Sequence, residues 1–503
     1  MSSVAQLLVP TLVADADGRF EAARPRLDAA LALGVGGFLL SGGEQDAVRA
    51  LTKELQQRSR TPLLLGADLE RGAGQQFAGA TGLPPLGALA WLDDVEALRR
   101  AARLTAREAR TLGVNWNLAP VCDLDVEPDN PVLGARTLGA DPARVARLAA
   151  AWIEACQAEG VLACAKHFPG LGRTRADPHV TTATVDAPRD VLHAQDLAPF
   201  RAAFAANVAS IMTAHVAYPA LDPSGQPATL SREILTWLLR QQLRYDGLVV
   251  SDALDMPGVL VPAGGDEGEA AVRAVGAGCD VVLAPGDVGA VAAALERALA
   301  AHVLDPVRVQ QSVRRRLRWA QWAAPPNDWR RPAAADATWG GQLAERVVHV
   351  VRGEPAPLAP AAAVLVVDGT TADVGDPNTT RSAPSPRRDE FADTLATAGV
   401  DVRGGDDAAF GPDVPLFVAL YGGERVRSGH PPYDDRTLGR VQDAAARARV
   451  AGRAVTVVHF APPRAVVDLG VPALCAWSGD RAMQQAAARW LTARRAGATV
   501  ESK

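Results

Sequence analysis

Short apolar runs recur along the first two-thirds of the chain, each followed by a longer stretch with apolar residues at three- and four-residue spacing. The runs at 7–14, 36–41, 62–68, 114–121, 162–168, 210–215, 248–253 and 279–284 are mostly uninterrupted by charge. Continuous apolar runs mark parallel strands covered on both faces. The segments at 94–112, 143–158, 195–206 and 231–244 carry helical periodicity. Ser231 followed by Glu233 marks a helix start, and Asp246-Gly247 a turn before the next strand. Eight strand–helix alternations predict a parallel sheet, and eight is the number that closes a (β/α)₈ barrel. A doubly wound open sheet is the rival, but no Gly-rich dinucleotide fingerprint follows the first run.

Helical segments at 288–301 and 306–323 complete this unit, and the Pro-rich stretch from Ala324 to Pro332 reads as a linker. A helix at 339–351 is expected to dock back onto the barrel. A second alternation follows, with strands at 363–367, 416–420 and 454–459 and helices at 434–449 and 481–494. The segment 369–388, rich in Thr, Asp, Pro and Ser, is expected to be a flexible loop. The predicted fold class is α/β. It comprises an N-terminal TIM barrel (1–323), a linker with a docking helix (324–360) and a smaller α/β sandwich domain (361–503).

Composition narrows the function. A chain of 503 residues that is 48% hydrophobic and 22% charged can build such cores, which excludes wholesale disorder. A net charge of -5, with no basic tail or stripe, argues against nucleic acid as a partner. The five cysteines are scattered through apolar runs without a C-x-x-C, so they are read as reduced core residues. No secretory leader and no apolar stretch long enough to span a bilayer is visible, so a cytoplasmic protein with no membrane partner is expected. His167, His179 and His215 fall on different elements, and no metal or cofactor is expected.

In a barrel of this kind the chemistry gathers at the C-terminal ends of the strands. The third run ends in Asp68, with Glu70 and Arg71 beyond it. The fourth leads through Asn115-Trp116-Asn117 to Asp123, then Asn130-Pro131 and Arg136. The fifth delivers Lys166 and His167 and turns at Pro169-Gly170 into a loop carrying Asp177 and His179. The sixth supplies Thr213 and His215, the seventh Ser251 and Asp252. Acids, bases and donors thus meet on one face, an arrangement suited to a sugar or polyol. His215 is more simply read as a satisfied scaffold histidine, and Glu70 with Arg71 as a surface pair. Asp123 is balanced between a turn cap and a functional group. Asp252 is different, because a carboxylate after a buried strand is costly without a partner or a task.

The pieces Lys166-His167-Phe168-Pro169-Gly170, Asp177-x-His179 and Val250-Ser251-Asp252-x-Leu254-x-Met256 resemble glycoside hydrolase family 3. More narrowly, they are similar to its bacterial β-N-acetylglucosaminidase branch. Supporting pieces are Asp68-x-Glu70, Ala119-Pro120-Val121-x-Asp123, Asn130-Pro131-Val132 with Arg136, and Met212-Thr213-Ala214-His215. The resemblance implies a retaining, exo-acting enzyme that removes terminal β-linked N-acetylglucosamine from a small oligosaccharide or muropeptide, as a monomer or homodimer. It makes Asp252 the nucleophile, His179 the general acid then base, and Asp177 the group that orients His179. It gives Asp68, Arg136, Lys166 and His167 the sugar hydroxyls.

The sequence departs from the family pattern where Gly170-Leu171-Gly172-Arg173 replaces a Gly-His-Gly-Asp stretch, and where Gln76 stands for an expected sugar-contacting Arg. An amide does not reproduce a bidentate guanidinium, so substrate choice is open. Three alternatives follow. One is a β-glucosidase-like enzyme taking its acid from Glu424 or from the 369–388 loop. Another is a phosphorylase, because imidazole repels phosphate less than carboxylate does. The last is a catalytically degenerate sugar-binding scaffold.

Overall fold

The first apolar run is broken at Pro10, which has no N–H for a ladder, and is therefore two short strands, Leu8–Val9 and Thr11–Val13. These two halves close a ring. Leu8–Val9 pairs with the last strand, Val281–Leu283, and Thr11–Val13 with Gly37–Ser41. Between them run Leu64–Ala67, Trp116–Asn117, Leu162–Phe168, Ser210–Thr213 and Leu248–Ala253, making a nine-stranded sheet that is parallel throughout and ordered as in the sequence. Counting the split run once, the eight expected strands form the expected barrel. The computed structural model describes residues 4–323, 332–369, 387–405, 410–422 and 433–495.

Neighbouring strands approach closely where the sequence provides glycine. A Cβ on Gly36 would lie 2.0 Å from Gln6 O, and one on Gly37 2.1 Å from Leu64 O. At the same end of the barrel the fully buried Arg316, from helix Pro306–Trp322, bonds the carbonyls of Gly36 and Pro62 and the side chain of Gln6. The fourth run, expected at 114–121, is regular only at Trp116–Asn117. Beyond a cis Ala119–Pro120 bond, Ala119 O and Pro120 O still accept from Cys164 N (2.9 Å) and Lys166 N (3.2 Å). That irregular continuation carries the chain to Asp123.

Residues 1–81 and 94–333 form one compact unit, and residues 82–93 and 334–503 another. The second contains a six-stranded sheet in the order His349–Arg352, Ala473–Cys475, Val455–Phe460, Leu416–Tyr421, Ala361–Asp368, Asp401–Gly404. All its pairs are parallel except that of the edge strand His349–Arg352. Phe391 and Leu395 of Glu390–Thr397, with Ala487 and Leu491 of Arg481–Thr492, cover one face. Val441, Ala444 and Ala448 of Asp435–Val450 cover the other. This is the smaller α/β sandwich expected. The helix expected at 339–351 is instead Ala334–Val347. The β-branched Val350 and Val351 beyond it favour the edge strand over a further helical turn. All five cysteines are buried and free. The loop expected at 369–388 falls mostly, and Glu424 entirely, outside the described residues.

Candidate active site

Strand Leu248–Ala253 runs apolar until Ser251, then presents a half-buried Asp252. Among the described residues its carboxylate accepts one hydrogen bond, from the Ala253 N–H to Oδ1 at 2.8 Å. Burial pushes this carboxyl up, but His167, His215, His179 and the Ala253 amide together hold it below its ordinary value. Asp252 is therefore an ionised carboxylate with an oxygen to spare, close to three imidazoles.

Strand Leu162–Phe168 places Lys166 and His167 at the same mouth, His167 held by an acid beyond the adjacent strand Trp116–Asn117 and Lys166 by acids beyond the next one, Leu64–Ala67. Lys166 Nζ lies 2.6 Å from Asp68 Oδ1 and 2.8 Å from Glu70 Oε1. Arg136 closes on Glu70 with both arms, Nη2 to Oε1 at 2.8 Å and Nε to Oε2 at 3.0 Å. Two acids and two cations make a quartet with no net charge, the condition under which charged groups are tolerated inside. Burial works against all three inner members. Their mutual attraction overrides it, holding Glu70 well below its ordinary value and Lys166 and Arg136 above theirs. The Asp68 side chain remains 45% exposed while Lys166 is 2% exposed. Asp68 is thus the member that faces a ligand, with acceptor capacity left for hydroxyls.

His167 is held separately. Its Nδ1 lies 2.7 Å from Oδ2 of the fully buried Asp123, whose carboxylate also receives the His167 N–H at 3.2 Å and the Leu171 N–H at 2.9 Å. A carboxylate only accepts, so Nδ1 carries the hydrogen and the ring is oriented. His215 is buried with both nitrogens engaged, Nδ1 with Thr229 Oγ1 (2.7 Å) and Nε2 with Ala253 O (2.9 Å). That fits a scaffold histidine bracing the end of the Asp252 strand.

The loop after Pro169 repeats the acid–imidazole arrangement within itself. His179 Nδ1 lies 2.7 Å from Asp177 Oδ1, which also accepts the His179 N–H at 2.9 Å. Nε2 is then the nitrogen left to exchange a proton, on a side chain 29% exposed. The departures from the family pattern at the loop's root are braced. Arg173 reaches Asp196 through Nε (2.8 Å to Oδ2) and Gln195 through Nη2 (2.6 Å). Asn130 Nδ2 donates to Leu171 O (3.0 Å), and Tyr218 OH donates to Gly170 O (3.0 Å). Gln76 Oε1 accepts from Gly42 N–H at 3.2 Å. Among the described residues no group of three or more His, Cys, Asp or Glu is arranged to hold a metal ion.

The structure thus brings Asp68, Arg136, Lys166, His167, Asp177, His179 and Asp252 into one unit around the barrel mouth. It corrects the reading of Glu70, which is buried beneath Arg136 and Lys166 and not on the surface. Asp123 turns a buried carboxylate toward His167, which favours a functional group over a simple turn cap. The signal for both was spacing: Glu70 follows the same strand end as Asp68, and Asp123 follows a short strand beside that of His167.

Comparison with known proteins identifies the family of the barrel. The family model for the glycosyl hydrolase family 3 N terminal domain matches residues 4–319. A β-N-acetylglucosaminidase/β-glucosidase of Cellulomonas fimi is 36% identical over 298 residues, which cover 56% of this chain and 51% of that protein. A β-hexosaminidase of Thiobacillus denitrificans is 40% identical over 259 residues, covering 50% of this chain and 71% of that one. About half of the Cellulomonas fimi protein therefore lies outside the match. A glycoside hydrolase family 3 β-N-acetylglucosaminidase from Paenibacillus sp. str. FPU-7 has a solved structure similar to this one. Its TM-score is 0.82 at 28% identity, covering 98% of this chain and 96% of that one. With its barrel matched almost from end to end, this chain belongs to glycoside hydrolase family 3.

Proposed function

We propose that the protein is a retaining, exo-acting β-N-acetylglucosaminidase, with Asp252 as nucleophile and His179, oriented by Asp177, as acid and then base. The observation that carries this reading is the 2.7 Å contact between His179 Nδ1 and Asp177 Oδ1, on a loop whose imidazole acts electrostatically on Asp252. In the first step an Asp252 oxygen attacks the anomeric carbon while protonated His179 gives its Nε2 proton to the departing glycosidic oxygen. A glycosyl ester and a free alcohol result. In the second step neutral His179 takes a proton from water as the water oxygen attacks the same carbon. The ester opens, Asp252 returns as carboxylate and the configuration is retained. Asp68, Lys166, His167 and Arg136 would hold and position the sugar hydroxyls.

The β-N-acetylglucosaminidase activity named for the Cellulomonas fimi and Paenibacillus relatives supports N-acetylglucosamine as the sugar, while the β-glucosidase activity also named for the former makes glucose the competitor. Chitooligosaccharides or muropeptides are the proposed sources of that sugar. The deciding assay compares p-nitrophenyl N-acetylglucosaminide with the glucoside. Asp252→Asn should abolish turnover of the preferred substrate, and a 5-fluoro derivative of that sugar, which keeps the 2-acetamido group, should leave its sugar on Asp252, read by peptide mass. A label on another side chain would refute the assignment. Inorganic phosphate in the same assay tests a second acceptor: formation of a sugar 1-phosphate would add phosphorolysis, and its absence at saturating phosphate would remove it.

A further inference from the structure

We infer that Gly258 is a positioning residue that seats the acid–base loop against the strand carrying the nucleophile. Gly258 lies in the turn Pro257–Leu260, just beyond strand Leu248–Ala253. Its N–H donates to Pro178 O at 3.0 Å, and Pro178 stands between Asp177 and His179. Its carbonyl accepts from Thr182 Oγ1 at 3.4 Å. The loop is thus tied on both sides of His179 to the two backbone groups of one residue.

Nothing in the backbone conformation demands glycine there, since Gly258 is not among the residues with positive φ. Space demands it. A Cβ on Gly258 would stand 2.7 Å from Pro178 O, 3.0 Å from His215 O and 3.1 Å from His215 Cβ. Backbone on both sides leaves no flexible side chain to move aside. The His215 side is anchored by its bonds to Thr229 and Ala253. The opposite side is a loop whose Val180 is 69% exposed. An added methyl therefore lifts the loop, and His179 with it, while Asp252 stays within its ladder.

A general acid must reach the leaving oxygen, and a misplacement of about 1 Å costs up to about 100-fold. This inference rests on the acid–base reading of His179. The test follows kcat/KM for two aryl glycosides of the preferred sugar. One carries 2,4-dinitrophenol, which departs without protonation, and the other a phenol that needs a proton. Their ratio does not depend on the folded fraction. Gly258→Ala should raise the dinitrophenyl-to-phenyl ratio by about 10- to 100-fold, in the direction of His179→Ala. Thr182→Val, which removes only the hydroxyl tie, should raise it less. If His179→Ala raises the ratio while Gly258→Ala leaves it unchanged, the seat is disproved and the acid–base reading stands. The seat is equally disproved if Gly258→Ala yields no folded protein and Thr182→Val leaves the ratio unchanged. If His179→Ala itself does not move the ratio, the acid–base reading fails and the inference with it.

Discussion

At the scale of single residues, the site depends on matched pairs of charge. Asp252 stays ionised because three imidazoles and a backbone amide outweigh its burial. Its folded value lies below the ordinary aspartate value of 3.8, so the proposed nucleophile is lost only as the pH falls beneath that value. The acid limb of kcat/KM, which reports the free enzyme, should accordingly fall below 3.8. A pH–rate profile whose nucleophile limb lies at or above the ordinary value would contradict the assignment. Asp123 and Asp177 serve two different histidines by one device, a carboxylate at 2.7 Å from Nδ1. Asp123 ties the His167 imidazole and the Leu171 amide to one carboxylate, so the ring and the root of the loop that carries Asp177 and His179 share an anchor.

At the scale of elements, chemistry and stability occupy opposite ends of the same strands. The C-terminal ends carry the charged quartet and Asp252, while the N-terminal ends carry glycines and a buried guanidinium. Arg316 has no carboxylate partner among its described hydrogen bonds and is held by the carbonyls of Gly36 and Pro62, the Gln6 amide oxygen and the Thr61 hydroxyl. Replacing it by Met would leave those buried acceptors unsatisfied. Arg316→Met should destabilise the protein by about 2 kcal/mol, measurable in urea, with kcat/KM per folded molecule unchanged. The loop elements are held differently. The altered Gly-Leu-Gly-Arg stretch gains a partner in Asp196, so the loss of the family's usual residues there does not leave the loop's root loose.

At the scale of the whole molecule, every group that the proposed two-step chemistry needs lies in the barrel unit, residues 1–81 with 94–333. The second unit is then not required to supply a proton. Glu424→Gln should keep turnover of the preferred aryl glycoside, whereas His179→Ala should lose it for substrates whose leaving group must be protonated. The reverse result would favour an acid drawn from the second unit, as in the β-glucosidase-like reading. Among the described residues no helix is long and apolar enough to cross a membrane.

Local order along the chain was enough for the eight strands of the barrel and for the three central strands of the second sheet, whose uninterrupted apolar runs give the same strands whatever they later touch. The short outer strands His349–Arg352, Asp401–Gly404 and Ala473–Cys475 were not legible, because so few residues carry no period of their own and are strands only beside their partners. Even the capping was local, as at Asp94, whose side chain accepts from Ala97 N–H. Partnership was not legible. Lys166 meets Asp68 across 98 residues and His167 meets Asp123 across 44, distances that only closure of the ring removes. Glu70 resembles a surface residue in the sequence for that reason, since its nearest charged neighbour along the chain is not what surrounds it in space. Gly258 is silent in the sequence because a glycine without positive φ has no local signature. Its meaning is the carbonyl of another loop, placed by the fold where a side chain would have to be.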